Sequence, residues 1–180
     1  GEGLGNQFLA NIREVDAIVH VLRCFVDENV THVEGGIDPI RDAETVETEL
    51  MLADLDSLER RADQTAKKAK SGDKESKELL AVLEPVLNAL KAGKPARTAM
   101  PSDPAARKIF NGLQLLTGKP VLYVCNVEES AAASGNALSA KVAERAKAEN
   151  AAMVVISAAI EAEVAQLSEA AEQKEFLESL

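Results

Sequence analysis

Three nearly continuous apolar runs occur along the chain, at residues 16–25, 120–125 and 152–156. Each is rich in β-branched residues, is bounded by charges or turn residues, and has the length of one strand. Apolar runs of this kind are typical of strands that are buried on both faces of a parallel sheet. Segments with helical spacing separate the runs, and strands that alternate with helices predict an α/β fold with a parallel, doubly wound sheet.

A different pattern lies between the first two runs, where apolar residues recur in steps of three and four. One stripe of this kind covers residues 51–69, a second covers 79–90, and a short polar turn separates them. Such a stripe lies on one face of a helix, so the two stripes predict an antiparallel helical hairpin of the coiled-coil type. We therefore expect an insertion at 46–96 between two parts of the α/β domain, residues 1–45 and 97–180.

The rest of the chain is assigned to shorter helices and to loops. Helices are predicted up to residue 13 and at 105–116, 138–149, 159–167 and 172–180. Residues 26–44 contain the turn-forming pairs Gly35-Gly36 and Asp38-Pro39, and they are predicted to form a long exposed connection.

Composition and charge narrow the function classes. The formal net charge of -10 argues against a general affinity for nucleic-acid backbone and against sequence-specific DNA binding, because phosphate contacts need clustered Lys and Arg. No apolar run approaches the roughly 20 residues that span a bilayer, so we expect no membrane partner and a cytoplasmic location. Cys24 and Cys125 lie in apolar runs, which favours buried reduced thiols over a disulfide or a metal site. His20 and His32 show no metal-ligand spacing and are interpreted as strand and loop residues.

Polar residues follow two of the predicted strands at their carboxyl ends. Asn126-Val127-Glu128-Glu129 comes directly after the second strand, and Ser157-Ala158-Ala159 comes after the third. Ligands of parallel sheets bind just beyond these ends. An Asn in this position is also a common start of a turn, so Asn126 alone has a structural interpretation. Its pairing with the Ser-Ala-Ala segment favours a ligand site.

The glycine-dense opening Gly1-Glu2-Gly3-Leu4-Gly5-Asn6 and the strand residues His20-Val21 supply a more specific signal. Four further segments follow in order: His32-Val33-Glu34-Gly35, Ile37-Asp38-Pro39, Leu52-Ala53-Asp54-Leu55 and Gly93-Lys94-Pro95-Ala96-Arg97. As an ordered set, together with the helical hairpin, they resemble the YchF family of Obg-like ATPases, within the Obg-related, translation-factor class of P-loop GTPases. The resemblance covers essentially the whole chain, though only about the central half of a family member. It implies a partial P-loop NTPase G domain in which the second switch, the segment that senses the terminal phosphate, contains Gly1, Gly3, Gly5 and Asn6.

The same resemblance implies which residues bind the base. Asn126 matches the base-recognising Asn of the family, and Val127 matches an apolar residue where related GTPases have Lys. Glu129 matches a Glu that replaces Asp, a change that goes with preference for ATP over GTP. Ser157 and Ala158 match the second base-contacting segment, which acts through backbone groups.

A physical reason for the changed base preference lies in Glu129. A guanine edge presents two donors that a rigidly placed Asp accepts together, and the longer Glu displaces its carboxylate by one methylene. A lost hydrogen bond costs about 0.5–1.5 kcal/mol net, so the replacement of Asp by Glu129 explains a loss of selection for guanine. Active preference for adenine needs Asn126 and backbone groups. Glu128 is expected to be a solvated turn residue.

The phosphate-binding half of such a site is absent from the sequence. There is no G-x-x-x-x-G-K-[ST] motif, so no catalytic residue and no metal ligand is assigned to this chain. Both are expected upstream of Gly1, and the TGS domain that ends family members is absent as well. We therefore expect that the chain alone does not hydrolyse ATP.

The leading interpretation is part of a soluble, ribosome-associated P-loop enzyme that binds and hydrolyses ATP with Mg²⁺ and uses GTP less well. All of these properties are implied by the resemblance. The alternative is an interaction module in which the helical hairpin binds the ribosome or a protein partner, and nucleotide turnover is incidental.

Overall fold

The computed structural model of the protein describes residues 9–26 and 36–179. Helix α1 comprises residues 9–14 of the described part. The other helices and strands follow in the order β1 (Ile18–Arg23), α2 (Pro39–Lys70), α3 (Lys74–Lys91), α4 (Pro104–Gly112), β2 (Val121–Asn126), α5 (Ala137–Glu149), β3 (Ala152–Ile156), α6 (Ala158–Val164) and α7 (Ala170–Ser179). Short 3-10 turns at Ala96–Ala99 and Glu129–Ala131 precede α4 and α5. The predicted α/β fold is confirmed. The prediction that His32 is a loop residue lies outside the described residues.

The chain forms two compact units, and each is described separately. The helical unit comprises Gly1–Ile18 and Glu44–Pro120, and the sheet unit comprises Val19–Ala43 and Val121–Leu180. The predicted hairpin at 46–96 lies within the helical unit. The three-part domain division made from the sequence stays a prediction.

The sheet has three strands in the order β1-β2-β3. Strands β2 and β3 are parallel, with Asn126 opposite Ile156 at their carboxyl ends. On the other side of β2, the Ile18 N–H donates to Pro120 O at 3.0 Å and the Cys24 N–H donates to Asn126 O at 2.8 Å. Because these bonds advance in the same direction along both strands, β1 is also parallel to β2. All three carboxyl ends therefore meet at one edge of the sheet, where the sequence predicts a ligand.

One face of the sheet packs against α5. The core of the sheet unit includes buried side chains from β1, from Cys24 directly after it, from β2 and from α5: Leu22, Cys24, Tyr123, Cys125, Val142 and Ala146. Both cysteines are buried and free, as predicted. On the opposite face, Val19 and Val21 of β1 are each 61% exposed. The predicted burial of the first strand on both faces is therefore wrong within the described part of the chain, because α5 covers one face only.

Helix α2 begins earlier than the sequence spacing predicts. The pair Asp38-Pro39 suits a turn, but in the structure it starts the helix. The Asp38 carboxylate accepts hydrogen bonds from the N–H groups of Ile40 at 3.1 Å and Arg41 at 3.2 Å, and Pro39 occupies the first helical position, where no N–H is needed. The hydrogen bond from Arg41 is the main cause that lowers the pKa of Asp38 below its ordinary value. The predicted long connection at 26–44 is therefore wrong from Pro39 onward.

The predicted helical hairpin is present in the helical unit. Helices α2 and α3 pack in one apolar cluster that includes Leu58 of α2 and Val86 of α3. An ion pair between Lys91 and Glu59 at 2.9 Å also links the two helices. The turn between them ends at Asp73, whose carboxylate caps α3. The apolar stripes found in the sequence thus form the contact between the helices.

A buried carboxylate organises the helical unit. Asp54 of α2 is 0% exposed, and it accepts hydrogen bonds from the Leu116 N–H at 2.9 Å and from the N–H and hydroxyl of Thr117, both at 2.8 Å. The Arg13 guanidinium lies 3.5 Å from the same carboxylate. Helix α4 ends at Gly112, and Gln114 then has a left-handed backbone with φ of 52°. Leu116 and Thr117 therefore lie beyond the helix, and their N–H groups bind Asp54. The predicted helix end at 116 is therefore wrong.

Candidate functional site

The residues predicted to bind a base line one open cleft at the carboxyl ends of β1, β2 and β3. The cleft has a volume of about 780 Å³, and its wall includes Asn126, Val127, Glu129, Ser157 and Ala158. Cavities of several hundred Å³ are of the size that holds a small ligand. The structure therefore brings the two predicted segments together, while their role in base binding stays a prediction.

Asn126 connects the two segments. Its side-chain Oδ1 accepts a hydrogen bond from the Ala158 N–H at 2.9 Å, and one residue later the Val127 N–H donates to Ile156 O at 2.9 Å. The loop after β2 is thereby fixed to the start of α6. The acceptor Oδ1 is used in this contact. The donor of the side chain, Nδ2, is therefore the group that can bind a ligand.

Ser157 is buried although its hydroxyl is unpaired. The residue is 3% exposed, and its Oγ has no hydrogen-bond partner among the described residues. It precedes α6 without capping that helix through its side chain. Buried polar atoms in native proteins nearly always have a partner. Because the Oγ atom is itself buried, this hydroxyl does not reach the open cleft, although Ser157 contributes to the cleft wall.

The other residues after β2 differ in exposure. Val127 is 3% exposed and belongs to the core of the sheet unit as well as to the cleft wall. Glu129 is exposed, and its carboxylate makes no hydrogen bond within the described part of the chain. Glu128 is also exposed, but its carboxylate accepts a hydrogen bond from Asn136 Nδ2 at 2.9 Å. Glu128 is therefore an exposed turn residue, as expected, and it also contacts Asn136.

The first strand also contributes to the cleft, which was not predicted from the sequence. Phe25 and Val26 follow β1 and line the cleft, and the Arg23 guanidinium lies over the Phe25 ring, 4.7 Å from its centre. The signal was present, because these residues also follow the carboxyl end of a parallel strand. Their side chains are apolar, so a search for polar groups at strand ends passes over them.

Other chemistry within the described part of the chain is limited. A hydrogen bond with the Cys125 thiol, and then burial, raise the pKa of Cys24 well above its ordinary value, so this thiol is protonated at neutral pH and is not a nucleophile. In residues 9–26 and 36–179, no group of three or more His, Cys, Asp or Glu side chains is arranged to hold a metal ion. None of the described helices has both the length and the apolar composition needed to cross a bilayer.

The predicted second switch cannot be placed in relation to the cleft. Its residues, Gly1, Gly3, Gly5 and Asn6, lie outside the described part of the chain. Their assignment to phosphate sensing stays a prediction.

Comparison with known proteins shows the relationship of the chain. No protein-family model matches it. The "Ribosome-binding ATPase YchF" of Bacillus subtilis is 47% identical over 182 residues, which cover 100% of this chain and 49% of that protein. The protein of the same name from Haemophilus ducreyi is 48% identical over 181 residues, with coverage of 100% and 49%. In three dimensions, the YchF GTPase of Schizosaccharomyces pombe matches with a TM-score of 0.81 and 31% identity, over 99% of this chain and 48% of that one.

The matches extend along the whole chain and agree in both sequence and fold. The chain spans about half the length of the curated relatives that it matches. The resemblance found in the sequence motifs is confirmed: the chain belongs to the YchF family of Obg-like ATPases.

Proposed function

We propose that the cleft at the carboxyl ends of the strands binds the base of ATP, as one part of the nucleotide site of an ATP-hydrolysing enzyme. The observation that carries this proposal is the contact made by Asn126, whose Oδ1 holds the Ala158 N–H and whose Nδ2 is left to donate at the cleft. Adenine and guanine both carry an acceptor at N7, so this donor suits either purine. The relatives named as ATPases, at 47% and 48% identity, support the proposal.

The preference for ATP over GTP is proposed to depend on Glu129. An ionised carboxylate only accepts hydrogen bonds, which suits the amino group at adenine N6 and opposes the acceptor O6 of guanine. The added methylene also spoils the paired contact that an Asp makes with two guanine donors. GTP is therefore the weaker ligand in this proposal. Asn126 supplies affinity that both nucleotides share, and together with backbone groups of the cleft it completes the preference for adenine, which does not follow from Glu129 alone.

Hydrolysis by enzymes of this class uses Mg²⁺, but the described residues do not fit a magnesium site, since they offer no cluster of three or more candidate ligands. We propose that Mg²⁺ arrives with ATP and that other residues bind it. No catalytic step is assigned to the ion. The proposed ribosome association places the protein in the cytoplasm.

Ribosome association is proposed to use the tip of the helical hairpin. Five exposed lysines flank the turn between α2 and α3: Lys67, Lys68, Lys70, Lys74 and Lys77. Within the described part of the chain, only Lys74 among them has an ion-pair partner, Glu78 at 3.8 Å. A basic cluster of this kind suits the phosphates of RNA, although the whole chain carries a net charge of -10. The alternative of an interaction module uses the same surface and requires that ribosome binding does not depend on the cleft.

The direct test of the proposed base site is Asn126→Ala in the intact protein. Loss of the Nδ2 donor and of the bond to Ala158 should weaken ATP and GTP together, by about 1–3 kcal/mol or roughly 5- to 150-fold. Competitive calorimetry measures both affinities. Asn88→Ala is the matched control, because Asn88 is an exposed asparagine of α3 that does not line the cleft. Unchanged binding of both nucleotides to a folded Asn126→Ala variant would rule out the proposed base site.

A further inference from the structure

Asn136, the residue before α5, makes four hydrogen bonds with its side chain. Its Oδ1 accepts from the N–H groups of Leu138 and Ser139, each at 3.0 Å, and so caps α5. Its Nδ2 donates to Cys24 O at 2.6 Å and to Glu128 Oε2 at 2.9 Å. Both lone-pair positions and both protons of the amide are therefore used.

The two donated bonds end on two walls of the cleft. Cys24 directly precedes Phe25, and Glu128 directly precedes Glu129. Phe25 and Glu129 both line the cleft. The Glu129 carboxylate has no hydrogen bond of its own in the described part of the chain, so its position depends on the backbone of the loop. The bridge through Asn136 fixes that loop to the end of β1.

We infer that Asn136 is a positioning residue that sets the discrimination between ATP and GTP. It holds Glu128, and with it Glu129, at a fixed distance from the end of β1. This inference rests on the proposed function of the cleft. The cap and the bridge use different atoms of one amide, so substitution can separate the two roles.

Asn136→Ser keeps the cap and removes the bridge. Serine is as good an N-cap residue as asparagine, whereas the donors to Cys24 and Glu128 are lost. In the intact protein, the ratio of the dissociation constants for ATP and GTP should move towards one by about 3- to 10-fold, the effect of roughly one hydrogen bond. The midpoint of thermal unfolding should change little, because the cap is retained.

Ser139→Ala is the matched control at the same helix end. Ser139 Oγ accepts from the Asn136 N–H at 2.8 Å and donates to Asn136 O at 2.9 Å, and among the described residues it makes no hydrogen bond to Cys24 or Glu128. This variant should lower stability and leave the nucleotide ratio at its wild-type value. An equal shift of the ratio in both variants would show that Asn136 acts through helix stability alone, and would overturn the inference.

Glu128 provides a second readout of the bridge. The conservative variant Glu128→Gln keeps an oxygen that accepts from Asn136 and should retain the wild-type ratio, whereas Glu128→Ala should reproduce the shift of Asn136→Ser. A wild-type ratio in a folded Asn136→Ser variant, alongside an Asn126→Ala variant that has lost affinity, would overturn this inference and leave the proposed function standing. Unchanged binding in Asn126→Ala would instead remove the proposed function, and this inference with it.

Discussion

Asp54 in the helical unit and Ser157 in the sheet unit are both buried polar residues, but their side chains differ in hydrogen bonding. Asp54 is 0% exposed and accepts hydrogen bonds from two backbone N–H groups and one hydroxyl. Ser157 is 3% exposed, and its hydroxyl has no partner among the described residues. Desolvation penalises an unpaired polar atom. A paired group of this kind therefore stabilises the fold, whereas an unpaired buried hydroxyl costs stability.

Among the variants that test this contrast, Asp54→Ala should have the largest effect, a loss of stability. Without the carboxylate, the N–H groups of Leu116 and Thr117 lose their partner, so the free energy of unfolding should fall by about 3–5 kcal/mol. Urea unfolding followed by circular dichroism measures the change. Asp56→Ala is the matched control on the same helix, since Asp56 forms an exposed ion pair with Arg60, which contributes at most about 1 kcal/mol. Equal losses in the two variants would remove the special role of Asp54.

An intermediate effect is expected at the hairpin tip, where four exposed lysines have no ion-pair partner among the described residues. The test variant replaces four lysines by alanine: Lys67, Lys68, Lys70 and Lys77. Ribosome binding should weaken by about 10- to 100-fold near physiological salt, and its salt dependence should flatten by about one unit of slope for each lost phosphate contact. ATP binding should stay unchanged, because these lysines do not line the cleft.

The control for the tip replaces four other exposed lysines by alanine: Lys94, Lys108, Lys141 and Lys147. It changes the net charge by the same amount without touching the tip. An equal loss of ribosome binding in both variants would assign the effect to net charge. Binding that is unchanged at every salt concentration in the tip variant would mean that the tip is only solvated.

Ser157→Ala should have the smallest effect. Its change in the free energy of unfolding should be opposite in sign to that of Asp54→Ala. Removal of an unpaired buried hydroxyl should raise the free energy of unfolding by about 1 kcal/mol. In the intact protein, ATP binding should change little, because the buried hydroxyl does not reach the open cleft. Thermal unfolding and calorimetry measure the two quantities, with the exposed Ser102→Ala as a control. A loss of stability would show that the hydroxyl has a partner in the intact protein.

The sequence predicted the features whose signals are local. The apolar stripes of α2 and α3 and the three strands have regular spacing, and the residues after β2 and β3 were predicted to come together because parallel strands share one edge. The pair Asp38-Pro39 shows the limit of local signals, since the same residues suit a turn and a helix start.

Long-range hydrogen bonds explain most of what could not be predicted. Asp54 binds Leu116 and Thr117, which are 62 and 63 positions away in the sequence. Asn136 binds the carbonyl of Cys24 across 112 positions. No spacing rule indicates such pairs, because neither partner carries a pattern that points to the other. The contact of Asp54 with the segment after α4 and the bridge across the cleft therefore became visible only in the structure.

The base preference of the intact protein shows most directly whether the cleft recognises the base. In the intact protein, Glu129→Asp with Val127→Lys should restore the paired guanine contact and the cover of the ring, and should shift preference towards GTP by about 1–3 kcal/mol, or roughly 5- to 150-fold in the ratio of dissociation constants. Val127 is 3% exposed, so the stem of the introduced lysine has to extend into the cleft. For this reason Glu129→Asp alone is measured beside the double variant. Thermal unfolding checks that both variants are folded. Competitive binding of ATP and GTP gives the ratio. We expect a shift towards GTP, and a wild-type ratio in the folded double variant would show instead that Glu129 does not face the base.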